Sequence, residues 1–256
     1  FTLMLTLTTV AFFVSCKSDD DNTTVATCDD GIQNGDETGV DCGGSACEPC
    51  VANLLNGEVT EATVLDATVE YELTGSYVVK AGATLTIPAG TVIKATGGTA
   101  AYIAVERGAQ IFINGTANAP VVMTSSAANP APGDWGGLVI CGDAPTNKGV
   151  NVTSEVADLQ YGGTNTNDNS GSVKYLRVEY TGATFSNDKE FNGVSLFGVG
   201  AGTTFEYVQS FNGGDDGIEF FGGSVSGNNL VSIGSGDDSI DFADGWTGSG
   251  SNWYIS

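Results

Sequence analysis

From Val51 onward the chain is written in short runs of Val, Ile, Leu, Phe and Tyr, broken by Gly, Asn, Asp, Ser and Thr. Within the runs apolar and polar positions alternate, the period of a strand with one buried face, and no stretch keeps the spacing of an amphipathic helix. The pattern predicts β-structure throughout this part of the chain. Glycines mark the breaks as corners, and Pro88 and Pro120 stand at run ends, where a strand loses no ladder donor.

The runs also repeat. The segment GDDGIEFFGG, which begins at Gly214, aligns with GDDSIDFADG, which begins at Gly236, at an offset of 22 residues. The preceding runs keep that offset, with Val208-Gln209-Ser210-Phe211 falling on Leu230-Val231-Ser232-Ile233. A further copy starts at Asn252-Trp253-Tyr254-Ile255, and a looser, earlier one is Tyr175-Leu176-Arg177-Val178-Glu179-Tyr180. Short strands and glycine turns at this period predict the coils of a parallel β-helix, in which each coil buries its apolar side chains only against its neighbours. A β-sandwich would show similar strands without the self-offset. Because the text stops inside a coil strand at Ser256, the native protein is expected to continue by further coils and a cap.

Ahead of the repeats, Phe1 to Val14 is an uncharged apolar run of fourteen residues. It is too short to cross a bilayer, which takes about 20 residues, and it reads as the apolar part of a signal peptide. Phe13-Val14-Ser15-Cys16 resembles a bacterial lipobox, which makes Cys16 the lipidated residue. Lys17-Ser18-Asp19-Asp20-Asp21 resembles the acidic export tag of surface lipoproteins. The expected organisation is a partial signal peptide over 1–15, an acidic linker over 16–27, a cysteine-rich module over 28–50 and the β-helix over 51–256.

Charge narrows the function. Of the 256 residues 31 are acidic and 8 basic, none is histidine, and the formal net charge is −23. Nucleic acid and anionic membrane surfaces are repelled by such a chain, so membrane contact is expected through the lipid anchor alone. The absence of histidine removes Ser-His-Asp and Cys-His catalysis within this chain. What remains is oxygen chemistry with carboxylates, hydroxyls, hard cations and sugars. Cys28, Cys42, Cys47 and Cys50 lie within 23 residues of one another. In an exported chain they read as two disulfides of open connectivity, against a competing four-thiolate zinc site. Cys141, inside an apolar run, reads as a buried free thiol.

Several segments in order resemble one family. GATLTIPAGTVIK, the turn Pro132-Gly133-Asp134-Trp135-Gly136-Gly137, VKYLRVEYTG and the two Gly-Asp-Asp segments are similar to those of β-helical lipoproteins from Bacteroidota and leptospiral outer membranes, with the pectin-lyase-like fold. The resemblance implies a right-handed parallel β-helix on the cell surface, and it implies no established catalytic activity.

The repeat stacks equivalent residues about 4.8 Å apart, Asp215 with Asp237, Asp216 with Asp238 and Glu219 with Asp241. Alternation turns Ile218, Phe220, Ile240 and Phe242 inward and leaves Glu219 and Asp241 outward. Three readings of this acidic ladder stay open. The carboxylates are solvated turn residues; or Asp215, Asp216, Asp237 and Asp238 hold Ca²⁺; or Asp216, Asp237 and Asp238 do acid/base work on a glycosidic bond. The last follows from a similarity to polygalacturonase-like hydrolases, which carry aspartates one coil apart. Glu219, Asp241 and Trp246 are candidate ligand contacts, although the Trp246 indole has the alternative of packing over a turn. The expected function is binding of an extracellular glycan or a surface macromolecule, with Ca²⁺ as the one candidate cofactor. A polysaccharide-degrading hydrolase or lyase is the alternative.

Overall fold

The computed structural model describes residues 26–30, 32, 34–37, 42–48, 53–186 and 189–256. The chain divides into two compact units, Phe1–Ala52 and Asn53–Ser256. In the first, Cys28 and Cys47 form a disulfide and Cys42 is also disulfide-bonded. Oxidised sulfurs are not thiolate ligands, so the four-thiolate zinc reading is set aside. Cys16 and Cys50 lie outside the described residues. No helix among the described residues is long and apolar enough to cross a membrane.

The second unit is a right-handed parallel β-helix with three faces. Its first face stacks Thr63–Val64, Thr84–Pro88, Gln110–Asn114 and the N-terminal halves of Gly171–Glu179, Thr204–Phe211 and Gly227–Ile233. The second stacks the N-terminal half of Glu70–Val79 under Val92–Ala95, Val121–Ser125 and the C-terminal halves of the same three long strands. The third runs from the C-terminal half of Glu70–Val79 through Tyr102–Val105, Leu138–Cys141, Val194–Phe197 and Ile218–Phe221 to Ile240–Ala243.

Each interior column is a ladder of like side chains. Ile103, Leu138, Val194 and Ile218 form one, and Val105, Ile140, Leu196 and Phe220 its neighbour, all of them excluded from solvent. Trp135 is buried at one corner, with its indole N–H donated to the Glu179 carbonyl at 2.8 Å. At Gly171 the chain enters the first face with φ +110°, and a Cβ there would collide with the Ile111 carbonyl oxygen, so no other residue fits. Phe242 points inward in register with Phe220 yet is 59% exposed, since among the described residues no strand lies over Ile240–Ala243.

The 22-residue step holds where it is legible, with Phe205 on Gly227 and Ile218 on Ile240. Elsewhere the coils are longer. Thr84 pairs with Gln110, Ile103 with Leu138 and Leu138 with Val194. Strand pairing fixes only the stacked segments, so the corners between them absorb any number of residues. The largest insertion, 142–170, carries the hairpin of Val152–Thr153 with Gln160–Tyr161. A second, Thr184–Ser186 paired with Lys189–Glu190, leaves the corner before Val194.

These two insertions cover the outer side of the third face and create a second apolar core there. Val139, Cys141, Phe197 and Phe221 point outward from the solenoid and are buried by Val156, Tyr161 and Phe191. Cys141 is a buried free thiol, as its setting suggested. The consequence reaches the acidic ladder: Glu219 points outward as alternation requires, but it is only 8% exposed.

A candidate glycan cleft and its buried carboxylates

The corner between the second and third faces passes twice through Asp-Asp, at 215–216 and 237–238, and the two passages are tied by backbone bonds. Gly217 N–H donates to the Asp238 carbonyl at 3.0 Å and Gly236 N–H to the Asp215 carbonyl at 3.1 Å. Asp216 turns one carboxylate oxygen back onto the Asp238 N–H at 2.8 Å. This register brings oxygens of Asp215, Asp216 and Asp237 within 4.8 Å of one another, and likewise those of Asp216, Glu219 and Asp241. Asp238 enters the arrangement through its backbone, and its carboxylate joins neither group.

Burial dominates the electrostatics of this corner. It pushes Asp215 up to about 6, with help from Glu190 and Asp237. Asp216 rises to about 7, again chiefly by burial, against the opposing Asp238 N–H bond and with Asp215 and Asp241 adding to the rise. Glu219 rises to about 9 by burial and by the nearby Asp216 and Glu155. Asn192, 1% exposed, donates its amide to Glu219 at 2.7 Å and only partly offsets this. Protonation of the inner carboxyls thus relieves the like-charge ladder, a solution that the sequence alone does not display.

Buried oxygens without partners gather at the same place. Among the described residues four buried side-chain atoms have no hydrogen-bond partner, and Thr181 Oγ1, Asn192 Oδ1 and Ser210 Oγ are three of them. The backbone of Gly214 hangs from the Thr181 carbonyl, Asn192 holds Glu219, and Ser210 and the Gly217 carbonyl both crowd Gly193.

Beside the carboxylates, the two insertions leave a cleft of about 350 Å³ over the third face. Its floor is Phe197 stacked on Phe221, with centroids 4.0 Å apart and planes 12° from parallel. Lys148, Glu155 and Tyr161 come from the long insertion and Lys189 from the short one. Asp244 ties the insertion down: it accepts the Tyr161 hydroxyl at 2.8 Å, pairs with Lys148 at 3.4 Å and takes the Asn147 N–H on its carbonyl at 2.9 Å. Burial and Asp244 hold the Tyr161 phenol above its ordinary range, so it stays a neutral donor. Glu155 is raised as well, by burial first and by Asp215 next.

The long insertion also borders a wider, more open depression of about 540 Å³ near Arg107, Asp143 and Asp168. Its polar groups are occupied with holding the fold. Arg107 donates to the Gly162 carbonyl at 2.7 Å, and Asp168 accepts from Ser170 and from the Gly200 N–H, both at 3.2 Å.

Trp246 requires a correction as a ligand contact on the ladder. Its indole N–H is bonded to the Val225 carbonyl at 2.9 Å and its ring stacks on Phe220 at 4.7 Å, which makes it packing for the upper core. Trp253 packs there too, donating to the Gly227 carbonyl at 2.8 Å. Lys174 pairs with Glu206 at 2.8 Å, and Arg177 pairs with Glu179. Residues 148, 155, 161, 189, 197 and 221 were not singled out from the sequence. A usable signal for the last two was the run of Phe at outward positions, because a strand apolar on both sides is covered on both sides.

Three stacked parallel faces make this unit a right-handed parallel β-helix. The family model described as the pectate-lyase-like beta helix domain matches residues 57–256, and the chain belongs to that family. No curated protein and no solved structure is found to match it.

Proposed function

We propose that this chain is the ectodomain of a cell-surface lipoprotein that binds an extracellular polysaccharide in the cleft over its third face. Membership of the pectate-lyase-like family points to carbohydrate binding or degradation. The observation that carries the binding reading is the cleft itself, a pocket over the third face whose rim carries two of the chain's eight basic residues. Lys148 and Lys189 are donors for the oxygens of a sugar, and the Tyr161 oxygen, its proton given to Asp244, is an acceptor for a sugar hydroxyl.

Degradation is the second reading, on one observation: Glu219, held protonated at neutral pH, has carboxylate oxygens of Asp216 and Asp241 within 4.8 Å. An acid beside ionisable carboxylates is what glycoside hydrolysis uses. Binding stands first because none of the three lines the cleft. Incubation of the chain with a panel of acidic and neutral polysaccharides separates the two. Retention without turnover is expected; new reducing ends or unsaturated products would replace binding with degradation.

Calcium fits the carboxylates of the Asp-Asp corner. Asp215, Asp216 and Asp237 offer oxygen ligands only, and no Lys or Arg pairs with them among the described residues. A bound Ca²⁺ would neutralise the corner. Chelation should lower the melting temperature and Ca²⁺ restore it, by about 2.7 kcal/mol at about a hundredfold excess over Kd. An unchanged calcium response in Asp215→Asn with Asp237→Asn would remove the metal from this corner.

Anchoring at Cys16 rests on the lipobox-like Ser15-Cys16 behind an apolar run. A Cys16→Ser variant is expected to leave the membrane fraction for the soluble one. Persistent detergent-dependent fractionation would rule that residue out as the anchor.

A further inference from the structure

We infer that the corner between the first and second faces carries a second carbohydrate-binding surface, a ledge built on Tyr207 that takes a neutral, hydroxyl-rich sugar chain. It rests on residues that the cleft does not use.

At this corner the chain turns on one residue per coil, and four successive coils place Tyr175, Tyr207, Asn229 and Asn252 there, with φ of 50°, 57°, 55° and 56°. The left-handed region suits Asn, whose short amide tolerates it, and is an outlier for a bulky ring. The two upper coils show what the backbone asks for. Retaining tyrosine at the two lower ones means that the rings serve something other than the turn, and strain kept against the local preference is a mark of functional positions.

The rings are arranged as a platform. Tyr175 and Tyr207 stack with centroids 4.4 Å apart and planes 8° from parallel, and Tyr207 is still 42% exposed. The next residue along the corner is only an asparagine, and its amide oxygen is taken by Asn252 at 3.1 Å. Beside it Ser251 donates to Asn228 at 2.7 Å. The Lys174–Glu206 ion pair, closed at 2.8 Å, stands next to the two tyrosines and is already neutralised.

That surrounding chemistry selects the ligand. An aromatic face with amides and hydroxyls alongside matches a pyranose ring, which is apolar on one side and edged with hydroxyls. With the neighbouring cation spent on Glu206, nothing here favours phosphate, sulfate or carboxylate, and a net charge of −23 turns away nucleic acid, the other ligand that stacks on exposed rings.

Affinity electrophoresis of the whole chain through gels containing a soluble β-glucan, a galactomannan or an arabinoxylan tests this. At least one polymer should retard the native protein, and Tyr207→Phe, which keeps the ring, should be retarded equally. Tyr207→Asn installs the residue that the next coil uses, so it should melt no lower than the native chain while losing affinity at least about tenfold. Native mobility unchanged by every polymer, or undiminished retardation of Tyr207→Asn, would overturn the ledge. Retardation lost in Lys189→Glu but kept in Tyr207→Asn would assign binding to the cleft and overturn it equally.

Discussion

In chelator, the thermal stability of the chain is expected to fall as pH rises from 5 to 9, and Glu219→Gln is expected to remove much of that fall. Asp215, Asp216 and Glu219 sit at about 6, about 7 and about 9 in the folded chain, all raised chiefly by burial. In the unfolded chain they return to about 4. Between these limits the native state holds more protons than the unfolded one, so the unfolding free energy decreases with pH. The stability associated with these groups is full below about pH 4 and is lost progressively up to about pH 9. The three titrate as a coupled set rather than one by one.

Glu219→Gln takes out the member with the highest value. Its amide keeps an acceptor for Asn192 and brings N–H groups toward the unpartnered Asn192 oxygen and the carboxylates of Asp216 and Asp241. At pH 8 the variant should be more stable by a few kcal/mol, which is roughly 5–10 °C in melting temperature for a domain of this size. Scanning calorimetry of both proteins from pH 5 to 9 checks this. A flat native profile, or a variant that tracks the native curve throughout, would mean that these carboxyls are ionised and solvated.

The second large effect is expected on binding. Lys189→Glu should weaken polysaccharide retention by tenfold or more while leaving the melting temperature within a degree or two of native. The side chain is exposed at the cleft rim and has no ion pair among the described residues. Its reversal therefore costs the fold little, yet it places a carboxylate where a ligand oxygen would sit and beside Glu155. Titration of native and variant proteins with the polysaccharide retained best supplies the comparison; equal affinity would move the ligand away from this rim.

The solenoid was readable because its period is written directly in the upper coils. Gly214 to Gly223 and Gly236 to Gly245 differ little, and Ile218 pairs with Ile240 as the offset requires. The lower coils hide the same period, since a corner can hold a long insertion without disturbing the strands it joins. The stack of Leu138 on Val194 is invisible in a search for fixed spacing. The site was half legible for the same reason. Stacking of Asp215 and Asp216 with Asp237 and Asp238 follows from the repeat, whereas the exposure of Glu219 depends on insertions that no repeat encodes. Alternation gives the direction of a side chain and says nothing about what lies above it, so Glu219 is outward as alternation requires and yet covered. Trp246 is a different case. Next to a glycine turn it had two readings, ligand contact or packing, and its indole stacks on the buried Phe220.

The central claim is that a sugar chain lies in the cleft between the two insertions, and the most direct measurement is a crystal structure of the chain with an oligosaccharide cut from the polysaccharide it retains. The account predicts a sugar in this cleft with Lys148 and Lys189 in contact with its oxygens. A saccharide bound to some other face while this cleft stays empty would contradict it.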